Sequence, residues 1–423
     1  MNAEQLSTRK WVSVLQLKPG VYVVDLDRSW FQTPFYFHRR LIKSADEIEL
    51  LKKHGIRKAL IDTAKGADVD APHSIAAPAA VPSEREKSPK TNADAGPSLF
   101  ETTFRPLVKE LQVARTIHDE ALAIAQRIFD GVGRGSPVNY PAAKSVVDDL
   151  LGSITRSPEA NLLLAQMRRF EHDLFSHAVN VCVLSLVVGT LEGFENDNSA
   201  LGLGALLHDV GHTRIPRNLF RRRGAYTEEE RRLLEQHPKL GAALLKSSEN
   251  IPNLTKRIVV EHHERIDGSG YPFALQGSQI APLSQMVALI DTYDTMLTGR
   301  NQEALPPIEV LRQLYLQRNT GAFDSDLIER TIRCLGVYPV GSLVELNTGE
   351  RGIVIATNRA DSSKPTLRII SSCNGLRQLN GPIISLANRA TNALEQRIVR
   401  ALDPGQERID LMPYLNFAPA LAV

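Results

Sequence analysis

The sequence predicts a multi-domain, mainly α protein, in which an all-α core follows a small α/β domain and precedes a short β-rich appendage. Three observations indicate this. Apolar residues recur at three- and four-residue steps from about residue 100 to about residue 335. Shorter apolar runs bounded by turn residues lie on both sides of that region. A segment without aromatic residues, 63–99, separates the first domain from the core.

The first domain, residues 1–62, contains signals for two strands and one helix. Val21–Val24 follows a Pro-Gly pair and predicts a strand. Ser44–Glu47 is a capping box that opens a helix, which ends before Gly55. Lys58–Asp62 predicts a return strand. We expect a folding module without chemistry of its own.

The linker and the helical core follow. Ala, Pro, Ser, Lys and Asp dominate residues 63–99, which predicts a disordered linker because such a segment buries too little apolar surface to offset the ordering of its backbone. The core, residues 100–335, opens with a long helix that begins near Phe100. Shorter helices are predicted over Pro141–Ile154, Pro158–Phe170 and His172–Leu191.

The last region, residues 336–423, changes from helical to strand-like patterning. Ser342–Leu346 and Gly352–Ala356 flank a turn and predict a β-hairpin. Thr366–Ile370 predicts a third strand. The region offers no catalytic residues, so we expect a β-rich appendage and tail.

Composition excludes several classes of protein. The net charge of +2 gives no bulk attraction to nucleic acid or to a membrane surface. The three cysteines are far apart and odd in number, as in a reducing compartment. The longest apolar run, Val179–Val188, is too short to span a bilayer, which takes ~20 residues, and no signal peptide is visible. We expect a cytoplasmic protein that binds neither nucleic acid polymers nor membranes.

The histidines indicate a metal site. Seven of the eleven lie between residues 172 and 263. Three of these belong to adjacent pairs of potential metal ligands, His208-Asp209 and His262-His263. An imidazole and a carboxylate on an apolar helix need a hydrogen-bond partner or a metal, because burying them without one costs several kcal/mol. Imidazoles and carboxylates together suit iron, manganese or zinc. Each histidine alone is more often a satisfied core residue than a ligand. The five segments that we expect to converge carry Asp173 with His177, His208-Asp209, His237, His262-His263 and Asp291.

Two of these motifs resemble a known family. His208-Asp209 resembles the signature of the HD metal-dependent phosphohydrolases, which implies an HD-type helical core. His262–Pro272 resembles the HHE-x-x-DGxGYP motif of the HD-GYP subfamily, and His237-Pro238 and Asp291-x-x-Asp294 stand in the expected order. Lys18–Val23 is similar to the small domain that often precedes this core in bacteria. The resemblance covers residues 100–334.

The resemblance implies a bacterial phosphodiesterase that hydrolyses cyclic di-GMP to linear pGpG and/or GMP by means of a metal-bridging hydroxide. It implies two divalent metal ions, iron or manganese, and leaves a third open. Asp209 would be the bridging carboxylate, and His208, Asp209 and His212 would be the catalytic residues. The implied metal ligands are His177, His208, Asp209, His237, His262, His263 and Asp291, with Asp173 at the position where trinuclear members carry glutamate.

The sequence departs from the family at His212, where a lysine that contacts the substrate phosphate is usual. We hypothesise that His212 donates a hydrogen bond to the phosphate; alternatively, it caps the helix end before Pro216. Arg300 aligns with an arginine that pairs with phosphate, or is a surface residue. Tyr271 either stacks on guanine or bonds near a metal ligand, and its loop, with Gly270, either builds the substrate site or contacts protein partners. A homodimer is left open.

Two other functions compete. Because His212 and Asp173 differ from the family, the protein could bind cyclic di-GMP and signal with little or no hydrolysis. A zinc protease is the third candidate, since His208–His212 superficially mimics H-E-x-x-H. That motif needs a glutamate as base, and it has no place for His262-His263, so we discount it.

Overall fold

The structure is a computed structural model, and it describes residues 9–26, 40–42, 44–53, 56–69, 105–167, 173–216, 219, 226–246, 248, 250–299, 304–358, 360–379, 381–387, 396–405, 407, 409 and 412–415. The chain divides into two compact units, Met1–Ala93 and Asp94–Val423. A mainly α fold with a helical core, N-terminal strands and a C-terminal sheet is confirmed.

The first unit is an antiparallel four-stranded sheet with one helix, and its strand order is β1-β4-β2-β3. Its apolar core includes Val21, Ile42, Leu51 and Ile61, none more than 1% exposed. Helix α1 and strands β2 and β4 lie where the sequence predicts them, whereas β1 and β3 were not predicted. The elements are β1 (Arg9–Ser13), β2 (Tyr22–Leu26), β3 (Arg40–Leu41), α1 (Ala45–Lys53) and β4 (Lys58–Asp62).

This unit extends past the predicted boundary at residue 62. Val69 is 4% exposed and belongs to the same apolar core, and the Ala67 amide donates to the Gly20 carbonyl at 2.6 Å. The expectation of a linker from residue 63 is therefore wrong for residues 63–69, because Val69 buries a side chain that the composition argument did not weigh. The predicted linker from residue 70 to 99 lies outside the described residues.

The second unit begins with the helical core. The predicted long helix and the three that follow it are present, with ends within a few residues of the predicted ones wherever those ends are described. The helices are α2 (Arg105–Gly133), α3 (Tyr140–Arg156), α4 (Pro158–Met167), α5 (Leu174–Leu191), α6 (Asn198–Leu207), a 3-10 helix (Val210–Arg214), α7 (Glu228–Leu234), α8 (His237–Lys246), α9 (Asn253–Glu261), α10 (Pro282–Thr298), α11 (Pro307–Gln317) and α12 (Ser325–Leu335).

Helix α5 runs through the middle of this core and packs against α2, α4, α6 and α10. It is apolar all round, as a helix must be when every face is covered. By length and composition α5 passes as a membrane span, the one helix of the described residues that does so. However, 78% of it is buried inside the protein, and it carries His177 and Asn180 among its buried residues. These are the properties of a central core helix.

Glycines let three elements of the core approach closely. A Cβ on Gly204 of α6 would lie 2.7 Å from the Ile258 side chain of α9. A Cβ on Gly211 would lie 1.9 Å from the carbonyl oxygen of His237, the first residue of α8. Only glycine fits at these two contacts, which bring the end of α6, the start of α8 and the end of α9 together.

The C-terminal region forms a five-stranded antiparallel sheet with strand order β8-β7-β6-β5-β9. The predicted hairpin and third strand correspond to β5, β6 and β7. Arg368 on β7 is 5% exposed, and its guanidinium donates to the carbonyls of Tyr414 and Leu379. The elements are β5 (Leu343–Leu346), β6 (Arg351–Ala356), β7 (Thr366–Ser371), β8 (Ile383–Ser385), β9 (Ile398–Leu402) and a short helix, α13 (Met412–Leu415).

Candidate metal centre

The candidate ligands lie mostly at helix ends. His208 directly follows the last residue of α6, and Asp209 follows with φ −93° and ψ 5° before the 3-10 helix. His262 likewise directly follows the last residue of α9, and His237 is the first residue of α8. The His208-Asp209 pair therefore lies just past the end of α6, which stops at Leu207, and before the 3-10 helix. Asp291 lies inside α10 rather than at its end.

These residues form two groups. The first, which we call the deep group, is His177, His208 and Asp291. The second, the cavity group, is His237, His262 and His263 together with Asp209. In each group one ligand atom of every member lies within 4.8 Å of the others.

Asp209 faces both groups with different oxygens. Its Oδ2 lies 3.8 Å from His177 Nε2 and 3.6 Å from His208 Nε2. Its Oδ1 lies 3.4 Å from His237 Nε2 and 3.9 Å from His262 Nε2. A carboxylate in this position can contact an ion in each group at once.

Backbone carbonyls fix the orientation of three imidazoles. Nδ1 of His208 lies 2.7 Å from the Ala205 oxygen, and Nδ1 of His262 lies 2.9 Å from the Val259 oxygen. Nδ1 of His237 lies 2.8 Å from the oxygen of Leu234. A carbonyl only accepts, so each Nδ1 donates, and in a neutral ring the opposite nitrogen, Nε2, then carries a free lone pair.

A carboxylate orients the fourth imidazole. His177 Nδ1 lies 2.7 Å from Asp294 Oδ2, and Asp294 is 1% exposed. The second oxygen of Asp294 accepts from the Asn180 side chain at 3.4 Å. Hydrogen bonds of this type raise the basicity of a ligating histidine and hold its ring in place.

The lone pairs so oriented point toward one another. His177 and His208 have Nε2 atoms 3.3 Å apart, and those of His237 and His262 are 3.1 Å apart. His177 Nε2 also lies 3.0 Å from Asp291 Oδ1. Acceptors packed this closely in a buried site repel unless a cation lies among them. The nitrogen and oxygen donors therefore fit borderline divalent metals such as iron, manganese and zinc.

The pKa shifts agree with that chemistry. Burial, aided by the charge of His212, lowers the pKa of His237 to about 3 against the opposing effect of Asp209. Burial and the charges of neighbouring histidines lower the pKa of His262 to about 3 and that of His263 well below its usual value. Burial raises the pKa of Asp291, but the hydrogen bond from His177 outweighs it and leaves that pKa below its usual range. Neutral imidazoles and an ionised carboxylate are the forms that bind metals.

A cavity of about 380 Å³ opens on the cavity group. Its volume lies within the range of small-molecule sites, roughly 300–1,000 Å³. His177, His208 and His262 do not line it. The polar side chains that do are Asp209, His212, Tyr226, Arg231, Glu235, His237, His263, Arg265, Tyr271, Asp291, Thr292 and Thr295.

The loop that carries Gly270 and Tyr271 is folded against the ligand pair His262-His263. Tyr271 stacks on the His263 ring at 4.7 Å between centroids, and burial raises the pKa of its phenol, which therefore keeps its proton. A Cβ on Gly270 would lie 2.4 Å from the backbone nitrogen of Arg265. Close packing thus explains Gly270, and its contact with substrate stays a prediction.

His212 lies beside the cavity group. Its ring stacks on His237 with 3.9 Å between centroids and an interplanar angle of 15°, and its Nε2 lies 3.3 Å from Asp209 Oδ1. Two nearly parallel rings at this spacing cannot both direct in-plane lone pairs at one ion, so His212 does not share an ion with His237 in this arrangement. It remains placed to donate to Asp209 or into the cavity, and the phosphate contact stays a prediction.

One predicted site residue that the structure describes is not brought to the centre. Asp173 precedes α5 and caps it: Oδ1 accepts from the amides of Phe175 and Ser176 at 2.9 and 2.8 Å, and Oδ2 accepts from the Ser176 hydroxyl at 2.9 Å. Asp173 therefore belongs to neither ligand group. Arg300 lies outside the described residues.

Three supporting residues were not assigned from the sequence. Asp294, which orients His177, follows Asp291 by three residues on α10, and that spacing could have indicated a shared face. The Glu264 carboxylate accepts from the amides of Phe273 and Leu275 at 2.7 and 2.9 Å, and so folds the loop. Arg265 lies over the Phe323 ring at 4.5 Å, and burial lowers its pKa. No local sequence signal marks the last two roles.

Two family descriptions match the chain. Residues 172–327 match the HD domain, and residues 9–143 match a domain of unknown function, DUF3391.

Relatives match over different lengths. A cyclic di-GMP phosphodiesterase of Pseudomonas aeruginosa is 28% identical over 380 residues, which cover 89% of each chain. The cyclic di-GMP phosphodiesterase response regulator RpfG of Xanthomonas campestris pv. campestris is 35% identical over 153 residues, which are 36% of this chain and 40% of that protein. A solved structure of an HDG"Y"P protein from Bdellovibrio bacteriovorus has a TM-score of 0.45 and 19% identity, and the match covers 76% of this chain and 98% of that one.

Proposed function

The chain carries an HD domain together with a DUF3391 domain, and from this premise we propose that it is a metal-dependent phosphodiesterase that hydrolyses cyclic di-GMP. The observation that carries the proposal is the pair of ligand groups with Asp209 between them. The relative of near-equal length, named a cyclic di-GMP phosphodiesterase, supports the choice of substrate. Linear pGpG and GMP both remain candidate products.

The residues fit two divalent ions, and we propose iron or manganese. His177, His208 and Asp291 would hold one ion, and His237, His262 and His263 the other, with Asp209 shared. When bound, such a pair makes a nucleophile from water at neutral pH and neutralises charge on the phosphodiester. Asp173 is committed to capping α5, so we do not include it in a third site.

The remaining side chains of the cavity bind and orient the substrate. The phenol of Tyr271 stays protonated and can donate a hydrogen bond into the cavity. Arg231 and Arg265 contribute positive charge at its wall, which favours an anionic phosphodiester. His212 can donate from Nε2 to Asp209 or to a phosphate oxygen. Arg300 stays a predicted phosphate contact.

The second candidate is a cyclic di-GMP-binding module with little hydrolysis. The position of His212 favours it, since the ring is stacked on His237 rather than extended into the cavity as a long lysine would be. The intact ligand groups favour the enzyme. A cytoplasmic location, a homodimer and protein partners at the loop Gly268–Pro272 stay predictions.

Metal analysis coupled to a hydrolysis assay tests the proposal. Purified protein is loaded with Mn²⁺ or with Fe²⁺ under anaerobic conditions, its metal content is measured, and products of cyclic di-GMP are separated by chromatography. We expect two ions per chain and metal-dependent formation of linear product. Two ions without turnover would favour the binding module. No uptake of metal would contradict both functions.

A further inference from the structure

The cavity contains one acidic side chain that the metal groups do not use. Asp209 and Asp291 belong to those groups, but Glu235 does not. Glu235 directly follows the last residue of α7, and its side chain is half-buried at the cavity wall. Its charge is close enough to Tyr271 to contribute to the raised pKa of that phenol. Within the part of the chain that the structure describes, no hydrogen bond or ion pair engages the Glu235 carboxylate.

A carboxylate in this position is unexpected in a cavity that takes an anion. It repels the phosphates of a dinucleotide, and it can only accept hydrogen bonds. Arg231 precedes it by four residues and lines the same cavity, yet no ion pair joins the two among the described residues. A hydrogen-bond donor on the ligand would complement this charge.

A cyclic dinucleotide offers few donors. Its phosphates offer none, and each ribose offers one hydroxyl. Guanine presents two adjacent donors on its Watson–Crick edge, N1–H and the N2 amino group, and both oxygens of a carboxylate can accept from them together. Adenine presents a single amino group beside an unprotonated ring nitrogen, whose lone pair would face the carboxylate. A carboxylate at the wall of the cavity consequently favours guanine.

We propose that Glu235 reads the guanine base and makes the site selective for guanine over adenine. This inference rests on the proposed function, because it assigns the specificity of the same site. A site built to bond a substrate N–H disfavours the analogue that lacks it, since the acceptor then loses its partner on the ligand.

The test compares Glu235→Gln and Glu235→Ala with the wild type and with Glu229→Gln. Glu229 is the matched control: it lies on the same helix, is exposed and does not line the cavity. Turnover is measured on cyclic di-GMP, cyclic di-AMP and bis(p-nitrophenyl) phosphate, which has no base. Calorimetry of GMP and AMP binding gives a readout that does not depend on turnover.

We expect Glu235→Gln to lower the ratio of kcat/KM for cyclic di-GMP over cyclic di-AMP by about 10- to 100-fold, the range for losing a hydrogen bond to a charged group. Glutamine can also pair with adenine, which lowers the ratio further. The preference for GMP over AMP in binding should fall in parallel, and Glu229→Gln should keep the wild-type ratios.

Three outcomes overturn the inference. In the first, the kcat/KM ratios stay at the wild-type value in both Glu235 variants. In the second, turnover of every substrate, the base-free one included, falls by the same factor, which assigns Glu235 to the metal centre. If both cyclic dinucleotides fall equally while the base-free substrate does not, Glu235 bonds a ribose hydroxyl. A wild type that cleaves only bis(p-nitrophenyl) phosphate contradicts the proposed function, and the GMP-to-AMP binding ratio then decides the role of Glu235.

Discussion

The two ligand groups use similar donors in different surroundings. In the deep group, His177 and His208 are sealed from the cavity, and a buried carboxylate, Asp294, orients one of the rings. In the cavity group, only backbone carbonyls orient His237 and His262. His263 is partly exposed, and His212 and Tyr271 stack on members of this group. The deep group is built to hold an ion, and the cavity group is built to hold one where substrate can reach it.

The largest effect should come from the residue that the groups share. Asp209→Asn removes the negative charge between them, and we expect loss of metal from both groups and a fall in cyclic di-GMP turnover on the order of 10³-fold or more, because metal ions supply several kcal/mol of charge stabilisation. Metal content and rate are measured on the same sample. Full metal content with normal turnover would contradict a shared ligand.

The next variant separates the groups. Asp294→Asn keeps a hydrogen-bond partner for His177 but removes its charge, and we expect the affinity for one of the two ions to fall by about 10- to 100-fold. Titration of metal-free protein followed by calorimetry should show one weakened and one unchanged site. Asn180→Ser, which alters only a 3.4 Å contact of the same carboxylate, is the milder control. Equal weakening of both sites would contradict the division into two groups.

A third prediction concerns pH. The pKa values of His237 and His262 are about 3 in the folded protein, well below the ordinary value near 6.5. Between these values the unfolded chain binds protons that the folded one does not, so stability falls as pH drops below about 6.5. We expect the metal-free protein to lose on the order of 1 kcal/mol per pH unit between pH 6 and pH 5.

Urea denaturation at pH 7, 6 and 5 measures this loss. A His237→Gln, His262→Gln double variant should show a shallower decline because neither glutamine titrates. An equally steep decline in the double variant would assign the effect to other groups.

The smallest effect should come from His212. Lysine at this position remains cationic at neutral pH, and we expect His212→Lys to raise cyclic di-GMP turnover by a few-fold. This is less than the full effect of a hydrogen bond to a charged group, about 1.5–3 kcal/mol, because His212 can already donate from Nε2. The rate is measured at pH 7 and pH 8 with metal content checked. No increase would remove the phosphate role, and a loss of metal would show instead that His212 supports Asp209.

The sequence predicted the ligands better than it predicted their surroundings. Histidine clustering and the family resemblance together named every member of both groups, because residue type and spacing are visible in the sequence. Asp173 caps α5 and does not join the groups, because an aspartate before a helix finds free amide donors two and three residues on, and this local capping competes with any distant metal. The roles of Glu264 and Glu235 depend on tertiary packing, which the spacing of residues along the chain does not show.

The same distinction holds for the fold. The long helix α2 was predicted because its apolar pattern repeats over several turns. The strands β1, β3, β8 and β9 have two to five residues each, and they are strands only through their neighbours in the sheet. The extension of the first unit to Val69 likewise depends on one buried side chain.

The hydrogen atom at Gly211 acts as a spacer of minimum size. The 3-10 helix rests directly on the first carbonyl of α8, so the distance between Asp209 and His237 is set by backbone against backbone, with no side chain between them to adjust. A methyl group at this position would push the segment that carries Asp209 away from His237, and so would move the shared carboxylate away from the ion of the cavity group but not from that of the deep group. Backbone packing at this one contact therefore fixes the separation of the two segments that carry Asp209 and His237.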